Sequence, residues 1–314
     1  MKALHYNGKH LECVNDYPDP YSETQVKVNL AGICGTDLEI FKGYMKYTGV
    51  PGHEFVGTVV RSDKQDIVGK RVVGEINAGC ETCESCMRGM QRHCPNRTVL
   101  GILNRDGAFA ESLSLPAQNL HVIPDSISDM AAVFVEPLAA AFEITAQVKI
   151  DKTWSVSVVG DGRLAQLICQ VLRIYCDDVT CFGRHDGKLA MLKGFDITTR
   201  TAINTQDEHS FDLVVDATGS GSGLADTMSL VKPRGIAVLK STVADQNANL
   251  ATAIINEVTL IGSRCGLFKP AIEALVSGAV IIHHMTNMTF RLEEYKQAIK
   301  EAQGSSTLKV FFRP

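Results

Sequence analysis

Cys80-Glu-Thr-Cys83-Glu-Ser-Cys86, followed after seven more residues by Cys94, puts four thiols into one short loop. Tetrahedral zinc takes four such ligands, and a closed all-cysteine set leaves no position open for a substrate. The loop therefore reads as a surface excursion stapled by a structural zinc, which forces the segments on either side of it to meet. Four cysteines also suit an iron–sulfur cluster, and stray thiols or a redox dithiol are the blander readings. Two overlapping C-x2-C units plus a fourth cysteine favour zinc. The other six cysteines, Cys13, Cys34, Cys169, Cys176, Cys181 and Cys265, are scattered. The N-terminus, Met1-Lys2-Ala3-Leu4-His5-Tyr6, lacks the apolar run of a secretory signal. No apolar stretch reaches the roughly 20 residues of a membrane span. A soluble, cytoplasmic protein is expected, its cysteines serving as thiols or metal ligands rather than disulfides.

The 314 residues suggest two domains. Up to about residue 140 the texture is β, with short alternating runs such as Val26–Leu30 and Gly57–Val60 punctuated by Gly and Pro. Pro137 suits the first turn of a helix over the Ala-rich Leu138–Val148. From Trp154 onward apolar runs alternate with helical segments, the signature of a parallel α/β sheet. The expected strands are Val156–Val159, Val179–Phe182, Leu213–Asp216, Ile236–Leu239 and Thr259–Ile261, with a helix near Pro270–Ser277. The tail, Leu308–Phe312, reads as β structure returning to the first domain. The expected fold class is α/β: a β-rich domain over 1–138 and 280–314, interrupted by a doubly wound Rossmann domain over 139–279.

At the start of that insertion, Gly160-Asp-Gly162-Arg163-Leu164-Ala165 follows the apolar run Val156–Val159 and precedes a helix beginning near Gln166. The first glycine permits a tight turn, the second lets backbone approach a pyrophosphate, and the small alanine allows close helix–strand packing. The helix N-terminus offers N–H groups to phosphates. After the second strand an acidic residue ordinarily binds the ribose hydroxyls of NAD, but here the chain reads Gly183-Arg184-His185. Gly183 removes a carboxylate that would repel a 2′-phosphate, and Arg184 can offer it a planar fork. NADP is preferred. NAD stays open, since Arg184 could cover the adenine and Asp186 could reach the ribose.

Three further segments carry metal-ligand residue types: Gly32-Ile33-Cys34-Gly35-Thr36-Asp37, Pro51-Gly52-His53-Glu54 and Val135-Glu136-Pro137. Singly, each reads more readily as a turn or a packed residue. Together with Gly107–Glu111, the Cys80–Cys94 loop, Gly160–Ala165 and Asp216–Gly219, they resemble the zinc-containing medium-chain dehydrogenase/reductase family from end to end. Within it the chain is similar to the polyol and threonine dehydrogenase branch.

The resemblance implies a GroES-like first domain and two zinc ions per chain. The catalytic one would be held by Cys34, His53 and Glu136, with Glu54 near enough to bind transiently, and Cys80, Cys83, Cys86 and Cys94 would hold the structural one. Asp37 would orient His53, and Thr36 would take the substrate proton. Many relatives have a histidine five residues after the zinc cysteine, where this chain has Glu39, so Glu39 is either a base or a solvated carboxylate. Thr218 joins the dinucleotide residues. A three-ligand zinc acts as a Lewis acid on an alcohol, which gives the expected reaction: reversible oxidation of a secondary alcohol or polyol by a nicotinamide cofactor. A homodimer or homotetramer is implied as well.

Of the aromatics between the two ligand segments, Phe41 reads as core, while Tyr44 and Tyr47 could border the substrate. Two other readings stand beside the enzyme. One is a non-catalytic, zinc- and dinucleotide-binding regulatory member, suggested by Glu39. The other is a zinc-ribbon module for nucleic acid, which a net charge of -4 argues against. No nucleic-acid or membrane partner is expected.

Overall fold

The computed structural model describes residues 1–21, 23–240 and 250–314. The chain forms two compact units: Met1–Glu136 with Phe268–Val276 and Met285–Pro314, and Pro137–Leu267 with Ser277–His284.

The first unit is built on a seven-stranded sheet. Its main path runs Thr286–Phe290, Lys309–Phe312, Thr24–Gly32, Glu54–Arg61, Arg71–Gly74 and Leu120–Val122, with Ser112–Leu115 paired to Thr24–Gly32 from the side. Thr24–Gly32 is the organising strand. It alternates buried valine and leucine with half-exposed polar residues and pairs antiparallel with Glu54–Arg61 along its length. The expected return of the tail is present: Phe311 and Phe312 pair antiparallel with Gly32 and Ala31. A small ladder, Asn77–Ala78 against Thr98–Val99, closes the base of the cysteine loop.

The second unit carries six strands, all parallel, in the order Thr198–Arg200, Asp178–Phe182, Ser155–Val159, Phe211–Asp216, Val231–Leu239 and Thr259–Gly262. Numbered within the unit this is 3-2-1-4-5-6, the doubly wound Rossmann order, whose direction reverses beside the first strand. The strand Thr198–Arg200 was not expected. It is short and polar and has one neighbour, so its sequence carries no apolar run.

Two segments depart from the expected division. Residues 280–284, expected in the first domain, lie in the second unit, and Phe268–Val276, expected in the dinucleotide domain, belongs to the first. For the latter the reason is a specific contact: the ring of Phe268, which is buried, stacks on His121 at 5.3 Å.

Candidate functional site

Cys34 ends the run from Thr24–Gly32 and is the N-cap of the short helix Gly35–Ile40. The cap is completed by Asp37, whose Oδ2 accepts from the Cys34 backbone N–H at 2.7 Å. The other oxygen of Asp37 accepts from the Gly52 backbone N–H at 3.2 Å and lies 3.2 Å from Nδ1 of His53. One fully buried carboxylate thus ties the Cys34 turn to the His53 segment. Burial disfavours charge on His53, but Asp37 and Cys34 outweigh it and pull the pKa well above its ordinary value. Ligand atoms of Cys34, His53 and Glu54 all lie within 4.8 Å of one another.

Glu54 has a partner that sequence reasoning did not foresee. The ammonium of Lys309 contacts its Oε2 directly, and both side chains are buried. Lys309 arrives on the C-terminal strand, where Ile33 N–H donates to the Val310 carbonyl at 2.9 Å, and its Nζ sits 5.5 Å above the Phe134 ring. Burial pushes its pKa down to about 8, against the pull of Cys34 and Asp37. The available signal was a lone lysine inside Leu308–Phe312, an otherwise apolar strand.

Glu136 is half-buried near the start of the helix Val135–Gln147, outside the close group. The hydroxyl of Thr36 is 3.9 Å from the Cys34 sulfur. Glu39 faces solvent and pairs with Lys42 at 2.8 Å, which favours the solvated reading of that carboxylate.

The His53 segment is held from behind by glycines packed on each other. A Cβ on Gly107 would meet the Gly52 carbonyl at 2.1 Å, and one on Gly52, at φ +96°, would enter the Phe109 ring. Asp106 accepts from the Val50 N–H and from the Tyr17 hydroxyl, both at 2.8 Å. The Tyr47 hydroxyl donates to the Val50 carbonyl at 2.6 Å. Tyr47 is buried with Tyr6 and Ile40, and Phe41 and Tyr44 pack against that group. All three aromatics therefore serve the wall that fixes the loop.

In the cysteine loop the sulfurs of Cys80 and Cys83 lie 3.5 and 3.6 Å from that of Cys94, and Cys86 completes the group. Zinc–sulfur bonds of about 2.3 Å at tetrahedral angles put sulfurs about 3.8 Å apart, so the spacing suits that ion. Thr82 draws the Cys80 thiol down to about 5, while burial pushes Cys86 up to about 12. Full ionisation of the set calls for a neutralising cation.

In the second unit, Gly160 at φ +120° turns the chain so closely against the next strand's exit that a Cβ would lie 2.8 Å from the Ala217 carbonyl. Gly162 caps the helix Arg163–Tyr175, and a Cβ there would meet nothing within 4 Å. That open approach at the helix N-terminus suits a pyrophosphate. Thr218 is held by buried Asp216, which accepts from its N–H at 2.9 Å and its hydroxyl at 2.8 Å. The Gly183-Arg184-His185 turn is organised by Asp161, a residue the sequence reading passed over. Its Oδ2 accepts from the N–H of Arg184 at 2.6 Å and of His185 at 2.8 Å.

Fold and site together define a dinucleotide-binding oxidoreductase with metal-ligating groups in its β-rich unit. Residues 20–125 match the alcohol dehydrogenase GroES-like domain. Starvation-sensing protein RspB of Escherichia coli K12 is 30% identical over 307 residues, covering 90% of this chain and 89% of that protein. D-arabinitol dehydrogenase 1 of Uromyces fabae is 28% identical over 326 residues, covering 94% and 90%. A solved rspB structure from Escherichia coli CFT073, described as an alcohol dehydrogenase with NADH, superimposes with a TM-score of 0.90 at 27% identity, covering 100% and 99%. A structure described as a zinc-binding dehydrogenase from Sinorhizobium meliloti 1021 bound to NADP shares the fold, with a TM-score of 0.91 at 23% identity over 100% and 99%. The chain belongs to the zinc-containing medium-chain dehydrogenase/reductase family, and it is an oxidoreductase of the alcohol and polyol dehydrogenase class.

Proposed function

We propose that the chain interconverts a secondary alcohol or polyol and its carbonyl compound, with NADP as the hydride carrier and NAD as a weaker alternative. The observation that carries this reading is the group of Cys34, His53 and Glu54 braced by Asp37, in a chain that also has a phosphate-ready turn at Gly160–Ala165. The donor set of one thiolate, one imidazole and a carboxylate fits zinc. A zinc ion held there would supply Lewis acidity to an alcohol oxygen, and a nicotinamide would accept the hydride.

The chain's own groups do the rest. With Asp37 on Nδ1, His53 has Nε2 left as its ligating atom, a division of labour typical of metal-bound imidazoles. Because Lys309 engages Glu54, we assign the third ligand to Glu136 and keep Glu54 as a neighbouring carboxylate. The Thr36 hydroxyl takes the alcohol proton first. Glu39 has no part in that path.

Two measurements test these assignments. Elemental analysis of the purified chain should find about two zinc ions, as expected for one open and one closed site. Glu136→Ala should retain about one and Glu54→Gln about two; the reverse pattern exchanges the two carboxylates. Calorimetric titration should find NADPH bound about tenfold or more tightly than NADH, equivalent to about 1.4 kcal/mol. Equal binding removes the NADP preference and leaves the dehydrogenase reading standing, whereas binding of neither nucleotide overturns the dehydrogenase reading.

Among the described residues no cysteine is in a disulfide, which supports a reducing compartment such as the cytoplasm. Among the described residues no helix is long and apolar enough to cross a membrane. Among the described residues Thr259–Gly262 is the last strand of the second unit's sheet, and Leu250, Ile254, Ile255 and Leu260 are exposed in the same part of the chain. Exposed apolar side chains near a terminal strand in sequence support self-association into a homodimer or homotetramer, which sedimentation would size.

A further inference from the structure

Position 183 is where a Rossmann dinucleotide site ordinarily presents a carboxylate to the ribose hydroxyls. Gly183 is not required there by its backbone. It is required by space: a Cβ would lie 2.6 Å from Cβ of Asp161 and 2.7 Å from its Oδ2. Asp161 comes from the preceding glycine turn and is buried, so it has taken the room that a side chain at 183 would need.

Its charge is turned inward and used up. Besides the N–H groups of Arg184 and His185, Nδ1 of His185 lies 3.0 Å from both carboxylate oxygens. Burial would raise the Asp161 carboxyl, but the donors of His185 and Arg184 outweigh it and hold the pKa below the ordinary range. What the turn offers outward is the Arg184 guanidinium with the His185 ring beside it. The Arg184 side chain is exposed and aimed by a bond from Nη2 to the Ser222 hydroxyl at 3.2 Å, and the His185 ring is half exposed.

We propose that Asp161 is the cofactor-specificity determinant: it bars a ribose-binding side chain from position 183 and fixes Arg184 and His185 as the cradle of a ribose 2′-phosphate. The inference rests on the NADP reading above and deepens it by moving the decision to a residue in the first glycine turn. Asp161 acts as a positioning residue, since its own oxygens are spent on the turn.

The test is nucleotide affinity, read by titration without turnover, for the wild type, Asp161→Asn and the double variant D161G/G183D. The double variant removes the Asp161 Cβ and carboxylate, leaves only the flexible end of Leu189 within 3 Å of the new Cβ, and installs the carboxylate where a site for NAD carries it. Its NADPH-to-NADH preference should fall at least about tenfold, a shift of about 1.4 kcal/mol or more. D161N keeps the shape but turns one acceptor into a donor facing N–H groups. It should lose about tenfold in NADPH affinity and change little toward NADH. If the wild type prefers NADPH and the double variant keeps that preference, the role of Asp161 is overturned and the NADP reading survives. If the wild type binds NADH as tightly as NADPH, both fall together. Should the double variant fail to fold by its melting curve, an unchanged preference in D161N overturns the inference by itself.

Discussion

Replacing Lys309 with methionine should destabilise the first unit by about 3–5 kcal/mol, because it leaves the Glu54 carboxylate buried without its counter-ion. Lys309 and Glu54 are 1% and 2% exposed, so water cannot take over the lost interaction. At about 2–4 °C per kcal/mol for a unit of this size, the melting temperature should drop on the order of 10 °C. The effect should be strongly non-additive. Glu54→Gln removes the charge that Lys309 balances, so the double variant K309M/E54Q should recover much of the loss. Melting curves of the four proteins decide it. A double variant no better than K309M would mean that Lys309 acts through its stem against Phe134 and not through its charge. The pair also binds distant parts of the chain, since the strand carrying Lys309 closes beside the Cys34 turn through the Ile33–Val310 bond.

How much of this was legible in the sequence depended on whether a residue's chemistry is local. Gly160–Ala165 and the four loop cysteines declare themselves, since their neighbours in the chain are also their partners in space. Cys34, His53 and Glu54 were legible only through family resemblance, because the groups that brace them come from elsewhere: Asp106 from a later loop, Lys309 from the last strand. Tyr47 was open between pocket and core, and the bond to Val50 with burial against Tyr6 and Ile40 resolves it toward the wall. Asp161 was invisible for a subtler reason. It is the variable residue of the glycine motif, and its meaning lies in the Cβ it denies to Gly183 on another strand. The edge strand Thr198–Arg200 and the docking of Phe268 on His121 share that character, as both are defined by a neighbour distant in sequence.

Asp37→Ala should be as damaging as any change to a ligand itself. The carboxylate is fully buried, accepts from the Cys34 and Gly52 N–H groups, and lies 3.2 Å from Nδ1 of His53. Each group left without a partner costs about 1–3 kcal/mol, so a total of about 3–5 kcal/mol is expected after partial relaxation. The consequence for the metal is separate from stability. Without Asp37 neither the tautomer nor the rotation of the His53 ring is fixed, and zinc affinity at the open site should fall about 10–100-fold. Competition with a chelator reads this loss without any turnover. Asp37→Asn divides the two effects. Its carbonyl oxygen can still accept from one backbone N–H, but its amide must present a donor to another donor and cannot carry the negative charge that favours a cation nearby. It should therefore keep more of the fold than alanine while losing a comparable share of zinc affinity. If D37N holds zinc as tightly as the wild type, Asp37 serves only to cap and clamp the two loops, and the orientation of His53 must come from the ligand geometry alone.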